Sequence, residues 1–444
     1  MFFKLSVICG NLIFISPILS LFLIAMNRLW CKNISEKLVT RIIVVSQSIS
    51  LACLAVIIAQ FIQDKSTPIP LFSTDLLRFG ENALEIGFMI DLLTLPFLGL
   101  TVLLGAIVGV FASRYLHRDP GYFRFFLLFH FFLMGMFFIV LSGNLSGIFI
   151  GWEIVGLTSA LLIAFFSYRK QTVSNSLRAF WAYRVTDTGL LLASLISINL
   201  GLGKISELTH HPVTFSENVI LALCLFSAMG KSAQFPFGHW LPKAMEGPTP
   251  SSAIFYGGLA VHAGVYLILR VTQDITQPLW FSAALIIIGL ITATYGSLLA
   301  KIQSDVKSTL AFSAMAQVGF IFCELGLGLR TIAVTHFVGH ALLRTYQLLN
   351  ASSQLHDYHA FQGAQLGNVA APALSAKAKY WESLYSRLFW ENYQGFSERW
   401  SMLKAMEKLS NSLRSFDLLC NKLLFKLFRK LFVFANFLNS KGGE

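Results

Sequence analysis

Apolar runs of about membrane length alternate with short polar segments from the start of the chain to residue 356, and this alternation predicts its elements. A helix needs about 20 apolar residues to cross the hydrocarbon layer of a bilayer. Runs of that kind cover residues 1–26, 42–63, 86–113, 125–141, 145–166 and 179–200. A seventh, interrupted stretch begins near Val219, and four more cover 251–269, 279–300, 309–328 and 331–355. The pattern predicts an all-α, polytopic membrane protein of about eleven spans. The first run lacks the basic start and small-residue cleavage site of a signal peptide, so it reads as a retained span. Residues 64–85, with Pro68, Pro70 and mixed charge, read as a loop, and Asp91 falls inside the start of the third run.

The polar segments differ in charge. Those after the first, third, fifth and ninth runs are rich in lysine and arginine, including Arg28, Lys37, Arg114, Arg124 and Arg169. Those after the second, sixth and tenth are mixed or nearly uncharged. Basic loops stay on the cytoplasmic side, which predicts a multi-pass protein of the cell (inner) membrane with its N-terminus outside and its C-terminus inside. Composition agrees: 55% hydrophobic and 13% charged residues are far from the balance of a soluble enzyme. The net charge of +12 is then a property of cytoplasmic segments, and nucleic acid is not expected as a partner.

From Lys377 onward the pattern changes, with tryptophan, tyrosine and phenylalanine interleaved with charge. Residues 418–438 are hydrophobic, yet Lys422, Lys426, Arg429 and Lys430 recur along one helical face. That predicts an amphipathic helix lying on a surface, either the cytoplasmic leaflet or a partner protein. Three regions follow: an N-terminal transmembrane hairpin with an outer loop (1–85), a transmembrane core (86–356) and a cytoplasmic basic tail (357–444).

No cofactor or metal site is expected. Cys9, Cys31, Cys53, Cys224, Cys323 and Cys420 are scattered without a Cys-x-x-Cys pair, and neither a Gly-x-Gly-x-x-Gly nor a P-loop occurs. Redox or nucleotide chemistry would sit on another subunit.

The candidate chemistry lies in charges placed at membrane depth. Lys231 ends an uncharged stretch, and such a side chain costs roughly 2.5 to 3.5 kcal/mol at the centre of a membrane helix, so it is retained where it serves a pathway or a partner. Pro236, followed by Pro242, removes a backbone donor and predicts a broken helix, which survives where it lines a buried or watered cavity. The plainer alternative is a kinked packing helix whose lysine snorkels to an interface. Glu153, Asp187, His262, His336, His340 and Arg344 also fall within apolar runs. Arg184 and Asp187, three apart, share a helical face, and His336, His340 and Arg344, spaced by four, stack on another where they could form a hydrogen-bonded file. Glu153 paired with Lys231 would make a switch, since a nearby carboxylate favours the ammonium form; the alternative is an ion pair that only pins two helices together. His210 and His211 lie in a polar outer loop.

The stretches FIGWEIVGLTSALLIAFF, AYRVTDTG, KSAQFPFGHWLPKAMEGPTPSSA, QSDVKSTLAFSAMAQVGF and HFVGHALLR resemble the antiporter-like subunits of respiratory complex I and Mrp antiporters, especially NADH dehydrogenase subunit 5. The resemblance implies inverted repeats of five helices, each with one broken helix. It also implies that Glu153 and Lys231 form a proton-handling pair with Asp187 as a neighbouring acid. In three respects the chain departs from that pattern. Its spans stop after the eleventh, so the second repeat is incomplete; Tyr256 stands where the family has a histidine, with His262 further along; and Arg344 replaces a lysine, which makes it a fixed charge rather than a relay. A shortened relative with a basic tail resembles the membrane subunit of DAB-type inorganic carbon pumps. That implies a cytoplasmic, zinc-binding, carbonic-anhydrase-like partner subunit. The alternatives are a proton-translocating subunit of a complex-I-like NADH:quinone oxidoreductase, with other oxidoreductase membrane subunits as partners, and a cation/proton antiporter subunit. A proton path is then expected to leave toward the cytoplasm through the eleventh span.

Overall fold

The computed structural model describes residues 2–30, 35–64, 67–79, 82–201, 205, 214–273, 277–303 and 305–351. The expected tail helix and the loop bearing His210 and His211 lie outside the described residues. The described chain is a helical bundle: α1 (Phe2–Trp30), α2 (Glu36–Gln63), α3 (Thr94–Tyr115), α4 (Tyr122–Leu141), α5 (Leu145–Ile163), α6 (Lys170–Asn199) and α7 (Phe215–Lys231) precede a broken region. In that region lie α8 (Trp240–Lys243), α9 (Thr249–Ser252) and α10 (Ala263–Val271), and α11 (Leu279–Ala300), α12 (Val306–Gly326) and α13 (Arg330–Asn350) follow it. By length and composition, 8 helical segments among the described residues are apolar enough to cross a membrane. Exposed apolar side chains such as Ile62, Leu192, Ile287 and Leu290 give their outer faces the character that lipid requires.

Local sequence sets where the helices begin. Ser35, Asn144 and Asp305 accept the free amides of Leu38, Gly147 and Ser308, and Thr214 with Glu217 makes a reciprocal capping box on α7. α6 begins at Lys170, two turns before the apolar run, because its polar first turns are buried by partners. Asn175 donates to Glu246 at 3.2 Å and Ser176 to the Ala160 carbonyl at 2.6 Å. α11 and α12 meet through glycines: a Cβ on Gly289 would stand 2.5 Å from the Gly319 carbonyl oxygen, so only small residues allow this approach.

The expected loop at 64–85 is instead part of an antiparallel hairpin, β1 (Ile69–Phe79) and β2 (Asn82–Ile90), paired from Ile69 opposite Ile90 to Phe79 opposite Asn82. Ile86, Phe88 and Ile90 are buried while Gly87 and Met89 are less so, a period of two that a helix cannot produce. Phe88 packs on Phe14, Phe72 and Phe138. The third span therefore starts at Thr94 rather than residue 86, and Asp91 lies just outside it, accepting from the Thr94 amide and hydroxyl at 2.8 Å.

The hairpin marks one face of the bundle. Arg270, at the end of α10, pairs with Asp91 beside the hairpin, and Arg330, at the start of α13, donates to the carbonyls of Thr272 and Gln273. Arg114, Arg118, Arg124, Arg169 and Lys170 cluster at the ends of helices on the opposite, basic face.

Candidate functional site

α7 stops at Lys231, and the chain does not resume regular helix until Trp240. The freed backbone is satisfied within the protein: the Ser232 and Gln234 amides donate to Ala228 and Met229, the Phe235 amide to Thr292, and the Trp240 indole to Gly230. Such closure is what permits broken backbone at membrane depth. The break falls before Pro236. Pro242, expected to share in it, stands in the first turn of α8, where its missing N–H would have had no helical partner, and so does not interrupt that helix. The next span is irregular too, since α9 leads into a π turn at Ala253–Gly258 and a short 3-10 turn before α10. Tyr256 sits in that π turn, its ring 5.6 Å from Trp240, which in turn lies 4.8 Å from Tyr183.

Four charges alternate in sign beside the break. Glu153 of α5 pairs with Arg184 of α6, and Arg184 donates to Asp187 at 3.1 Å. Asp187 lies 3.6 Å from the Lys231 Nζ. Burial increases along the row: the Glu153 and Arg184 side chains are each 28% exposed, those of Asp187 and Lys231 1%. Trp152 donates its indole N–H to Asp187 at 2.7 Å, and Lys231 stands over the Tyr183 ring at 4.3 Å from its centroid. The row sums to zero charge, the condition under which buried ions are tolerated.

The direct Glu153–Lys231 pair expected from the sequence is not formed. Arg184 stands between them, because its planar fork reaches both carboxylates at once, which a single ammonium on a flexible stem does poorly. From the sequence Arg184 is only a neighbour of Asp187; its spacing places it on the right face, but which carboxylates it holds is decided by how α5 packs on α6.

The histidines form a second cluster. His262 Nδ1 faces the Gly258 carbonyl at 2.8 Å, which can only accept, so that nitrogen carries a proton. In neutral His262 the other nitrogen, Nε2, then accepts from His340 Nδ1 at 2.9 Å. His340 Nε2 is left as a buried nitrogen without a hydrogen bond among the described residues. The expected single file along α13 is thus replaced by a bond across helices. His336 turns away to Glu324 at 2.7 Å and Gln317 at 3.0 Å, its ring centroid 6.4 Å from that of His340. Arg344 is buried and donates to Ser313 at 3.0 Å. The sequence does not single out Glu324, which lies near the end of an apolar run and holds His336, nor Arg270, one residue past another run, which pairs with Asp91 away from this cluster.

A multi-pass helical membrane protein with a broken helix against a neutral row of buried charges is the class that this architecture defines. Within that class the chain belongs to the family described as NADH:quinone oxidoreductase/Mrp antiporter, whose model matches residues 142–371. The description NADH-ubiquinone oxidoreductase (complex I), chain 5 N-terminus, matches residues 76–126. Similar curated proteins include the chloroplastic NAD(P)H-quinone oxidoreductase subunit 5 of Lemna minor, 37% identical over 64% of this chain, and that of Zea mays, 36% identical over 64%. The chain spans about two fifths of the length of these relatives, 39% and 40%. Among solved structures, the Mrp complex from Dietzia sp. DQ12-45-1b matches 78% of this chain and 37% of its own with a TM-score of 0.63 and 26% identity. An archaeal membrane-bound sulfane sulfur reductase matches 77% of this chain and 70% of its own with a TM-score of 0.66 and 21% identity, a likeness of fold.

Proposed function

We propose that this chain conducts protons as one membrane subunit of a larger complex, with Lys231 and Asp187 as the exchanging pair and Arg184 and Glu153 setting their balance. The observation that carries this reading is the 1%-exposed ammonium–carboxylate pair at the end of a broken helix. Two charges in so dry a place are costly unless paired, and a small change in their separation shifts which partner holds the proton. The cell inner membrane, with the hairpin face outside, is the placement that the basic opposite face supports. Substituting Lys231→Ala or Asp187→Asn should abolish proton flux in membrane vesicles while the complex still accumulates. Full flux in either variant sinks the assignment.

The load that we assign to this flux is inorganic carbon (CO2/bicarbonate) uptake through a cytoplasmic zinc-binding subunit, supported by the sequence pattern of 418–438, where Lys422, Lys426, Arg429 and Lys430 recur among apolar residues as expected of a segment that meets a soluble protein. The names of the curated relatives support a second reading, proton translocation coupled to quinone reduction alongside other membrane subunits. Purifying the chain with its partners separates the two. A zinc protein released by deleting residues 377–444 supports carbon uptake, whereas a set of quinone-reductase subunits that stays bound overturns it.

A further inference from the structure

Glu324 lies two residues before the end of α12, and His336 in the second turn of α13, both toward the hairpin face fixed by Arg330 and its bonds to Thr272 and Gln273. Their side chains are part-exposed, 20% and 26%, in an open cavity of about 520 Å³ lined also by Thr331, Ile332 and Thr335. Glu324 Oε1 bonds His336 Nδ1 at 2.7 Å, while Gln317, seven residues before Glu324 and so on the same side of α12, holds Nε2 at 3.0 Å. The second carboxylate oxygen, Oε2, is buried and has no hydrogen-bond partner among the described residues. Beyond His336, toward the interior, come His340 and then His262, bonded to each other at 2.9 Å.

We propose that Glu324 and His336 form a proton port on the hairpin face, passing protons between water in this cavity and the His340–His262 pair. The proposal deepens the conduction reading, on which it rests, and adds a terminus that opens opposite to the cytoplasmic exit expected from the sequence. A carboxyl group part-exposed in a cavity wall and bonded through one oxygen to an imidazole is placed to take up a proton at the wall and hand it inward. The step moves a proton only: the O–H bond of protonated Glu324 breaks as an N–H bond forms on Nδ1 of a neutral His336, which leaves a carboxylate and an imidazolium and transfers no electron. His336 covers the remaining distance by releasing Gln317 and turning its ring toward His340. The charged and titratable groups around this route are Glu324, His336, His340, His262 and Arg344, the last held by Ser313 at the far end.

The test uses the full chain in its native membrane complex, with proton flux read by a pH-sensitive dye. Glu324→Gln is expected to lose most of the flux, and Glu324→Asp to retain part of it. Thr335→Cys, in the cavity wall, is expected to conduct until a membrane-impermeant thiol reagent is added on the hairpin side, and to be unaffected by the same reagent on the basic side. Wild type treated identically controls for the native cysteines. Wild-type flux in Glu324→Gln, or block of Thr335→Cys from the basic side, overturns the port while leaving conduction through Lys231 intact. Full flux in Lys231→Ala instead removes the reading on which the port depends. Should Glu324→Gln fail to accumulate, the sidedness of the Thr335→Cys block decides.

Discussion

Lys231 meets its counter-charge in Asp187, 3.6 Å away, and reaches Glu153 only through Arg184. The carboxylate nearest to the lysine is therefore the deeply buried one on α6, and the glutamate of the Gly-Trp-Glu stretch acts at one remove.

Asp187→Asn should cost more stability than Glu153→Gln. Removing one partner of a buried pair costs about 3–5 kcal/mol because the other charge is left uncompensated, whereas Glu153 is part-exposed. Thermal unfolding of the purified variants measures this, and the double variant Asp187→Asn with Lys231→Met should recover much of the lost stability while remaining without flux. Equal melting of the two single variants would show that burial does not rank the row.

Arg184→Lys should impair flux although it keeps the charge. An ammonium cannot hold two carboxylates in the planar fork that bridges Glu153 and Asp187. Wild-type proton flux in this variant would mean that the bridge is only electrostatic.

Gly156→Ala should move the ammonium. A Cβ there stands 2.8 Å from Lys231 Nζ and 3.2 Å from Arg184 Nη2, so the ends of these two side chains must shift. Reduced flux with the protein still folded is the expected outcome, and an unchanged rate would show that the pair tolerates displacement.

His340→Ala should cost more activity than His210→Ala or His211→Ala. If His340 acts through its bond to His262, the double variant His262→Ala with His340→Ala should be no worse than the more damaging single one. Strictly additive losses in flux would separate the two rings functionally.

Much of this arrangement is legible in the residues themselves. The apolar runs mark the helices, the uncharged stretch before Lys231 and the proline after it mark the break, and the four-residue spacing places His336, His340 and Arg344 on one stripe. The hairpin escaped because Ile86, Phe88 and Ile90 run straight into Leu92 and Leu93, so a strand of period two merges with the helix that follows. Asp91, which separates them, reads as a charge inside a span until its bonds to Thr94 and Arg270 are seen. Partner choice escaped for a different reason: that Arg184 takes Glu153, and that His340 takes His262 rather than His336, depends on which helices touch. Glu324 and Arg270, near the ends of apolar runs, look like loop charges until the helices are seen to include them and to bring them to His336 and Asp91.

The stop of α7 at Lys231 has an electrostatic consequence of its own. Backbone carbonyls at a helix C-terminus carry roughly half a negative elementary charge, and the ammonium is attached to the residue where that charge accumulates. Lys231 is thus attached at the negative end of the α7 dipole as well as lying beside Asp187. A carboxylate drawn away toward Arg184 would leave the cation still beside the end of that dipole, a fixed field that the break itself creates.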